Sequence, residues 1–380
     1  MAERSQRHDG LPTEYYAPDY KIEIEGRELD AETKGDVLEL KVAMDLKDLT
    51  HFDLTVNNWD DRKFGFKYSD TDTSDVGNRI HIQMGYAGRL LSMARGVITS
   101  LTPRFSESGP PTLGVGGQDS LVKLRDRKPG PSDLKRFVKK TDEEIAELVA
   151  KRNHLKFRGP QQKTETHDVV MQKDQDEAKF LKERAARIDF DCYIQIDPDT
   201  GEETLFFIKP TDGRDGRRTR VYVFEWGRSL INFSPRLTIA EQVGTVTVRG
   251  WDPRIKKPIL YTAGPQDLPQ VSTGGMSGPQ VAQQRLNGKG DLVVDQPVIS
   301  AQEARDLAIS LLRERAYEFI TGSGQVIGLP DLRPGDNVEL QGVGTRFSGT
   351  YYVEKVAHAL GSSGYQTNFD VRKPFDGGLE

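Results

Sequence analysis

Between Glu318 and Lys373 the chain breaks into short apolar runs separated by glycine-rich corners, and this rhythm restricts the fold more than any other feature of the sequence. The runs are Gln325-Val326-Ile327, Asn337-Val338-Glu339-Leu340, Tyr351 to Val356, and Tyr365 to Val371. Proline presets φ at the second position of a tight turn, and glycine takes the positive φ that a type II turn needs at the third. Pro334-Gly335 therefore makes one corner, and Gly361-Ser362-Ser363-Gly364 makes another. The last run sets Tyr365, Thr367, Phe369 and Val371 against Gln366, Asn368 and Asp370, so one face of its strand is buried. The segment is a β-meander, and none of it is catalytic chemistry.

Residues 1 to about 17 are polar and read as a flexible arm. From Pro18 onward, Tyr20 to Glu25, Asp36 to Val42, Asp53 to Asn58, Arg79 to Tyr86, Leu90 to Thr99 and Pro111 to Val115 read as strands with turn signals between them. That pattern predicts a small antiparallel barrel or sandwich. A helical interlude follows. Thr141 and Glu144 match a capping box, and Ile145, Leu148 and Val149 recur at helical spacing as far as about Asn153. A second helix begins near Asp174, with Glu177 three residues on and a stripe of Ala178, Leu181, Ala185 and Ile188. It leads into a hairpin of Phe190 to Ile196 and Thr204 to Ile208, completing a small α/β unit.

Arg217 to Gly227, Leu230 to Leu237 and Gly244 to Pro253 open a second β region. From Tyr261 to Pro297 the chain is rich in Gly, Pro, Gln and Ser and reads as a long excursion or mobile loop. Ser300 and Glu303 match another capping box, opening a helix through Ala304, Leu307, Ala308, Leu311 and Leu312 to about Phe319. The expected architecture is α+β and mainly β. It comprises a first barrel over 18–128, a helical and small α/β segment over 129–215, a second barrel from 216–256 plus 320–374, and a loop-and-helix insertion over 257–319.

A chain of 380 residues is too long for one ordinary core. No apolar run approaches the length of a membrane span, and the N-terminus lacks the apolar core of a secretory signal, so synthesis in a cytoplasm is expected. Cys192 is the single cysteine, which excludes an intrachain disulfide; its apolar neighbours make it a buried strand residue. Net charge is −5 with basic and acidic residues interspersed, the wrong balance for sequence-specific nucleic-acid binding.

The search for chemistry yields little. Asp70-Thr71-Asp72-Thr73-Ser74 opens like a calcium loop, but Asp75 stands where glycine is needed and His81 where a bidentate glutamate is needed. His8, His51, His81, His154, His167 and His358 share no metal-ligand spacing; most read as surface or turn residues, with His358 on a strand facing inward or into an interface. Neither Gly114-Val115-Gly116-Gly117 nor Gly322-Ser323-Gly324 precedes a helix as a phosphate cradle must. Asp45, Asp48, Asp53, Asp60 and Asp61 could supply paired carboxylates for glycoside cleavage. Trp59, Trp226 and Trp251 end strands and read as core or interface packing before sugar stacking. No catalytic, cofactor or metal residue is expected.

The run from Gly328 through Pro330, Leu332, Pro334 and Gly335, then Gly349, Tyr351, Val353, His358, Gly364 and Tyr365, closely resembles the terminal part of the phage late control protein D family. That family comprises baseplate hubs of contractile tails and is similar to the N-terminal hub portion of VgrG in type VI secretion. Gly328, Pro330, Pro334, Gly335, Gly349, Tyr351, His358 and Gly364 form the structural signature, and supporting pieces extend the resemblance from Pro18 to Lys373. The resemblance implies two tandem barrels similar to the tail-tube fold, and a homotrimer whose six barrels match a sixfold inner tube to a threefold spike. It implies the tube protein, a spike and possible wedge and tape-measure proteins as partners, with no cofactor and no membrane insertion. The chain reaches Glu380 without needle repeats, so a separate spike polypeptide is expected. Assembly in a bacterial cytoplasm and residence in a virion tail or injection-system baseplate follow. Two rivals remain: a tail-associated glycan hydrolase using the acidic cluster, and a carbohydrate-binding or adhesin module using Trp59 and Trp251.

Overall fold

The alternating apolar residues after Pro18 need a common interior, and in the computed structural model six strands enclose it. The structure describes residues 7–9, 17–71, 74–119, 124, 135–160, 163–210, 221–268 and 275–378, so most of the expected N-terminal arm lies outside it. A short strand β1 (Arg7–Asp9) comes first. The first unit then holds β2 (Pro18–Ile24), β3 (Arg27–Glu28), helix α1 (Ala31–Gly35), β4 (Val37–Asp45), β5 (His51–Asn57) and the hairpin β6 (Trp59–Asp60) with β7 (Gly65–Phe66). It ends with β8 (Arg79–Tyr86), β9 (Arg89–Arg104) and β10 (Thr112–Asp119). The strand order is β4-β5-β10-β9-β8-β2, antiparallel throughout. Inward positions recur at every second residue: Leu40 and Val42, Phe52, Leu54 and Val56, Ile80, Ile82 and Met84 all join one core. Each buried side chain of that size contributes about 1.5–3 kcal/mol. Gly117 on β10 passes so close to Phe52 that a Cβ there would lie 2.1 Å from the ring.

The middle segment holds β11 (Lys135–Lys140), α2 (Asp142–Arg152), β12 (Lys156–Arg158), β13 (His167–Gln172), α3 (Glu177–Ala186), β14 (Asp191–Ile196) and β15 (Glu203–Ile208). The capping box at Thr141 and Glu144 forms as expected. The stripe of α2 does not run as expected. Leu148 is 42% exposed, while Ala146 and Ala150 join Ile145 and Val149 in the core. The small side chains let the helix sit close, and Leu148 falls on the far side of that face. Helix α3 begins two residues later than expected, capped by Asp176. Glu177 is fully buried and takes Lys135, Arg152 and Asn153.

The last third holds β16 (Val221–Glu225), β17 (Leu230–Leu237), β18 (Thr245–Asp252), β19 (Lys257–Ala263), α4 (Gly278–Arg285), β20 (Gly290–Val293), α5 (Ala301–Tyr317), β21 (Ile320–Ile327), β22 (Asn337–Gln341), β23 (Gly349–Gly361) and β24 (Gly364–Lys373). A second six-stranded unit runs β16-β22-β23-β24-β21-β17 around Phe224, Tyr351, Val353, Phe369 and Val371. Two expectations need correction. Strand β18, expected in the second barrel, pairs instead with β19 and β20 in a separate sheet whose inner face packs on α5 through Val246, Val248, Ile259, Leu307 and Leu312. The stretch 261–297, expected as a loop, holds the end of β19, α4 and β20; residues 269–274 within it are not described. Helix α4 carries a full capping box at Ser277 and Gln280 and buries only small or short residues, which is why composition hid it.

Strand β23 belongs to both six-stranded units. Its first part pairs with β22, and after a register irregularity between Val353 and Lys355 the part from Lys355 to Leu360 pairs with β4, with β24 alongside throughout. One 14-stranded sheet therefore runs through both units, and β1 adds to its far edge in parallel with β16. The fold is α+β and mainly β. Among the described residues no helix is long and apolar enough to cross a membrane.

Candidate functional site

Part of the glycine and proline signature, Gly328, Pro330, Pro334, Gly335 and His358, lies where the two six-stranded units meet, while Gly349 and Tyr351 lie within the second unit, on the part of β23 that pairs with β22. Gly335 adopts φ +92° at the corner after Pro334, donates its N–H to the Val353 carbonyl at 2.9 Å, and leaves room for Tyr193, whose hydroxyl would lie 3.3 Å from a Cβ. Gly349 and Gly364, also at positive φ, start β23 and β24. Tyr351 is fully buried and donates its hydroxyl to Phe347 O at 2.6 Å. The Gly328 carbonyl accepts the Tyr86 hydroxyl of the first unit at 2.8 Å, and Asp331 meets Arg89 at 3.2 Å. The Pro330 carbonyl accepts from Arg333. A cleft of about 520 Å³ opens beside the loop, its far wall made by Tyr193 and Phe206 stacked at 5.1 Å.

His358 is the hub of this joint and is fully buried on β23. Its Nε2 lies 3.2 Å from the Leu332 carbonyl, while Nδ1 lies 3.0 Å from the Tyr365 hydroxyl and 3.2 Å from that of Thr367. A carbonyl can only accept, so the Nε2 proton is given to Leu332 and Nδ1 accepts from the hydroxyls. Arg333 stands 3.5 Å from Nε2. Burial and that neighbouring charge push the imidazole down to about 3, so the ring is neutral. Arg333 itself is buried and reaches across to the Ser92 carbonyl of the first unit at 3.2 Å, as well as to the Pro330 and Leu332 carbonyls. A guanidinium suits this place because its fixed fork serves several carbonyls at once.

Two further nodes were not legible in the sequence. His167, expected near the surface, is buried between Asp142 at 3.0 Å and Glu303 at 3.1 Å, with Arg184 bonded to Asp142. Burial alone would lower its pKa, but the two carboxylates raise it to about 9. Asp142 and Glu303 are held low because these partners outweigh their own burial. The node ties α2, β13 and α3 to α5. At the second node the Tyr352 hydroxyl donates to half-buried Asp191 at 2.6 Å, and Arg372 lies over the rings of Tyr317 and Tyr352. Burial raises the Asp191 carboxyl. The partners lie 25 and 136 residues from His167 and 161 residues apart at Asp191 and Tyr352, so no local motif marks them.

The catalytic rivals gain nothing from the geometry. Asp45 is paired with Lys355 across the β4–β23 ladder, Asp48 accepts the Leu49 amide, and Asp60 accepts the amides of Arg62 and Lys63 at a turn, so these three carboxylates are engaged in holding the structure. Asp72 and Thr73 of the calcium-like run lie outside the described residues, and no metal-holding cluster occurs among those described. Cys192 is buried as expected, which pushes its thiol up to about 12. Trp59 is half-buried and edge-on to Phe66, whereas Trp226 and Trp251 are both 54% exposed and are not core residues.

Together these features define a phage-tail-protein fold. The structure is similar to the 43 kDa tail protein of prophage MuSo2 from Shewanella oneidensis, with a TM-score of 0.69 and 13% identity over 94% of this chain and 99% of that one. It is similar to a tail protein from Neisseria meningitidis MC58, with a TM-score of 0.67 and 13% identity over 94% and 97% of the two chains. It is also similar to an Escherichia coli component of the type VI secretion system, itself reported to resemble T4 tail proteins gp27 and gp5, with a TM-score of 0.57 and 14% identity over 92% and 76%. At these identities the likeness is one of fold. The chain belongs to the Alg8 N-terminal domain family, whose model matches residues 16–362. This is a different family from the late control protein D read off the terminal motif. No curated protein matches the sequence.

Proposed function

We propose that the chain is a non-enzymatic structural hub of a contractile phage tail or a phage-derived injection system, kin to the late control protein D and VgrG hubs. In this reading three copies close into a ring that adapts a sixfold inner tube to a threefold spike. The tube protein and a separate spike are direct partners, with wedge and tape-measure proteins as further contacts. The two six-stranded units act as the tube-like barrels, with the middle segment and the β18–β20 sheet as insertions between their parts. One observation carries the reading: a tail-protein fold spans almost the whole chain and joins its two β units through one shared strand and a buried joint. A ring of three such chains repeats that rigid pair as six units, which is the symmetry adapter a tube and spike need.

The test is to co-express the chain with tube and spike proteins from the same genome and to image the products. The reading expects three-chain rings seated between tube and spike. A chain that stays monomeric and binds neither partner overturns it. Lytic activity of the purified chain, lost on Asp53→Ala with Asp60→Ala, would favour the hydrolase instead.

A further inference from the structure

A buried arginine is tolerated when its N–H groups are answered, and two of the buried arginines follow that rule. Arg313 meets Asp189 at 2.5 Å, and Arg333 donates to three carbonyls. Arg372 on β24 does not. It is 8% exposed, yet among the described residues its guanidinium makes no hydrogen bond: Nε is buried without a partner, and the carboxylate oxygen that comes nearest, Oε1 of Glu354, stands 3.8 Å from Nη1. What holds the group in place is the pair of rings, Tyr317 at 5.2 Å and Tyr352 at 5.7 Å. Ring faces attract the charge and fix its position, but they leave the donors in its plane unanswered.

Arg372 lines a cleft of about 220 Å³ between the middle segment and the second six-stranded unit. The end of α3 at Lys182 and Ala186, the start of β14 at Asp191, and Tyr317 of α5 supply other parts of its wall. The charges around Arg372 are engaged elsewhere. Glu354 pairs with Lys47 at 2.8 Å, Lys182 donates to the Lys47 carbonyl, and Asp191 accepts the Tyr352 hydroxyl. Glu314 is exposed to solvent. Burial also raises the Asp191 carboxyl, which weakens it as a counter-charge for Arg372. A planar fork with unanswered donors takes a carboxylate through two parallel N–H···O bonds. A single negative charge suits the cleft better than a phosphate, whose further charge would be forced against Asp189 and Asp191.

We infer that this cleft is a carboxylate-binding site whose anchor is Arg372, positioned by the rings of Tyr317 and Tyr352. The carboxylate belongs either to a small free acid or to an acidic side chain of a docking protein, and the chemistry of capture is the same. The site goes beyond the hub reading and does not depend on it.

The test is titration calorimetry of the full chain with sodium acetate and sodium succinate, against sodium chloride at equal ionic strength. Wild type is expected to bind at one site per chain in the millimolar range, with the thermal midpoint rising as the site fills. Arg372→Lys keeps the charge but loses the fork, and should weaken binding about tenfold or more. Because that position is buried, Ala186→Trp is the second variant. It lies on the exposed end of α3 at the cleft, leaves Arg372 in place, and should block entry while keeping the wild-type circular dichroism. Native mass spectrometry of chain purified without carboxylate buffers separates the sources: a bound small acid that Arg372→Lys loses supports a free ligand. Chain association in sedimentation velocity that both succinate and Arg372→Lys weaken supports an acidic side chain. Heat no different from the chloride control means that water alone fills the cleft, and the inference is overturned. Equal binding by wild type and both variants places the acid elsewhere and overturns it too. Both of those results leave the hub reading to be decided by imaging with tube and spike.

Discussion

His358 and His167 are both buried, yet their neighbours drive them to opposite protonation states. His358 faces hydroxyls, a carbonyl and the Arg333 cation, and its folded pKa of about 3 lies below the unfolded value. The folded state therefore binds fewer protons, and the stability this residue contributes is full above about pH 6.5 and lost as pH falls towards 3. His167 faces two carboxylates, and its folded pKa of about 9 lies above the unfolded value. Its contribution is full below about pH 6.5 and lost as pH rises through 9. Urea unfolding across pH separates the two. His358→Gln should flatten the acid slope between pH 6.5 and 3. His167→Gln should destabilise below pH 6.5 and converge on wild type above pH 9. Converging curves at both ends for either variant would refute the assigned surroundings.

Among the elements, α2 and α5 show what can be read locally and what cannot. The Thr141 box is complete because both partners lie within three residues. The Ser300 motif is only half formed: Ser300 accepts the Glu303 amide, but the Glu303 carboxylate turns to the Ile299 amide and to His167. A tertiary partner outbid the local one, and no spacing rule could have reported it. The strands between Ile320 and Lys373 were legible because alternation and glycine corners fix a strand without help from elsewhere, but the meander expected of them was not what formed: β21 pairs with β17 and β24, not with β22, and only β22, β23 and β24 follow one another. Helix α4 was not, because its core contacts are Val281 and Ala282 and not a long apolar stripe. The same contrast predicts stability. Leu312→Ala, fully buried on α5, should cost about 2–5 kcal/mol, whereas Leu148→Ala on the exposed side of α2 should change stability by no more than about 0.5 kcal/mol. Thr141→Ala should cost about 1 kcal/mol through the lost cap. Denaturant midpoints measure all three. An equal cost for the two leucines would mean the stripe expected from sequence is the real one.

For the whole molecule the decisive feature is that one strand serves two cores. Ala357 on β23 lies opposite Ala43 of the first unit on one side and Asn368 of the second on the other. Unfolding either six-stranded unit therefore strips a wall strand from its neighbour, and the joint at Arg333 adds a buried tie to Ser92 across the same boundary. The two units should unfold together, in one calorimetric transition. Arg333→Ala leaves the β23–β4 ladder intact but orphans carbonyls of the joint, each at a cost of about 1–3 kcal/mol, so the transition should shift down and stay single. Ala357→Pro attacks the shared strand itself, since proline cannot donate to a central ladder. Native-state hydrogen exchange on that variant should lose protection on β4 and β24 at once. Loss confined to β24, with β4 as protected as in wild type, would mean that the first unit stands alone and that the continuous sheet does not couple the two.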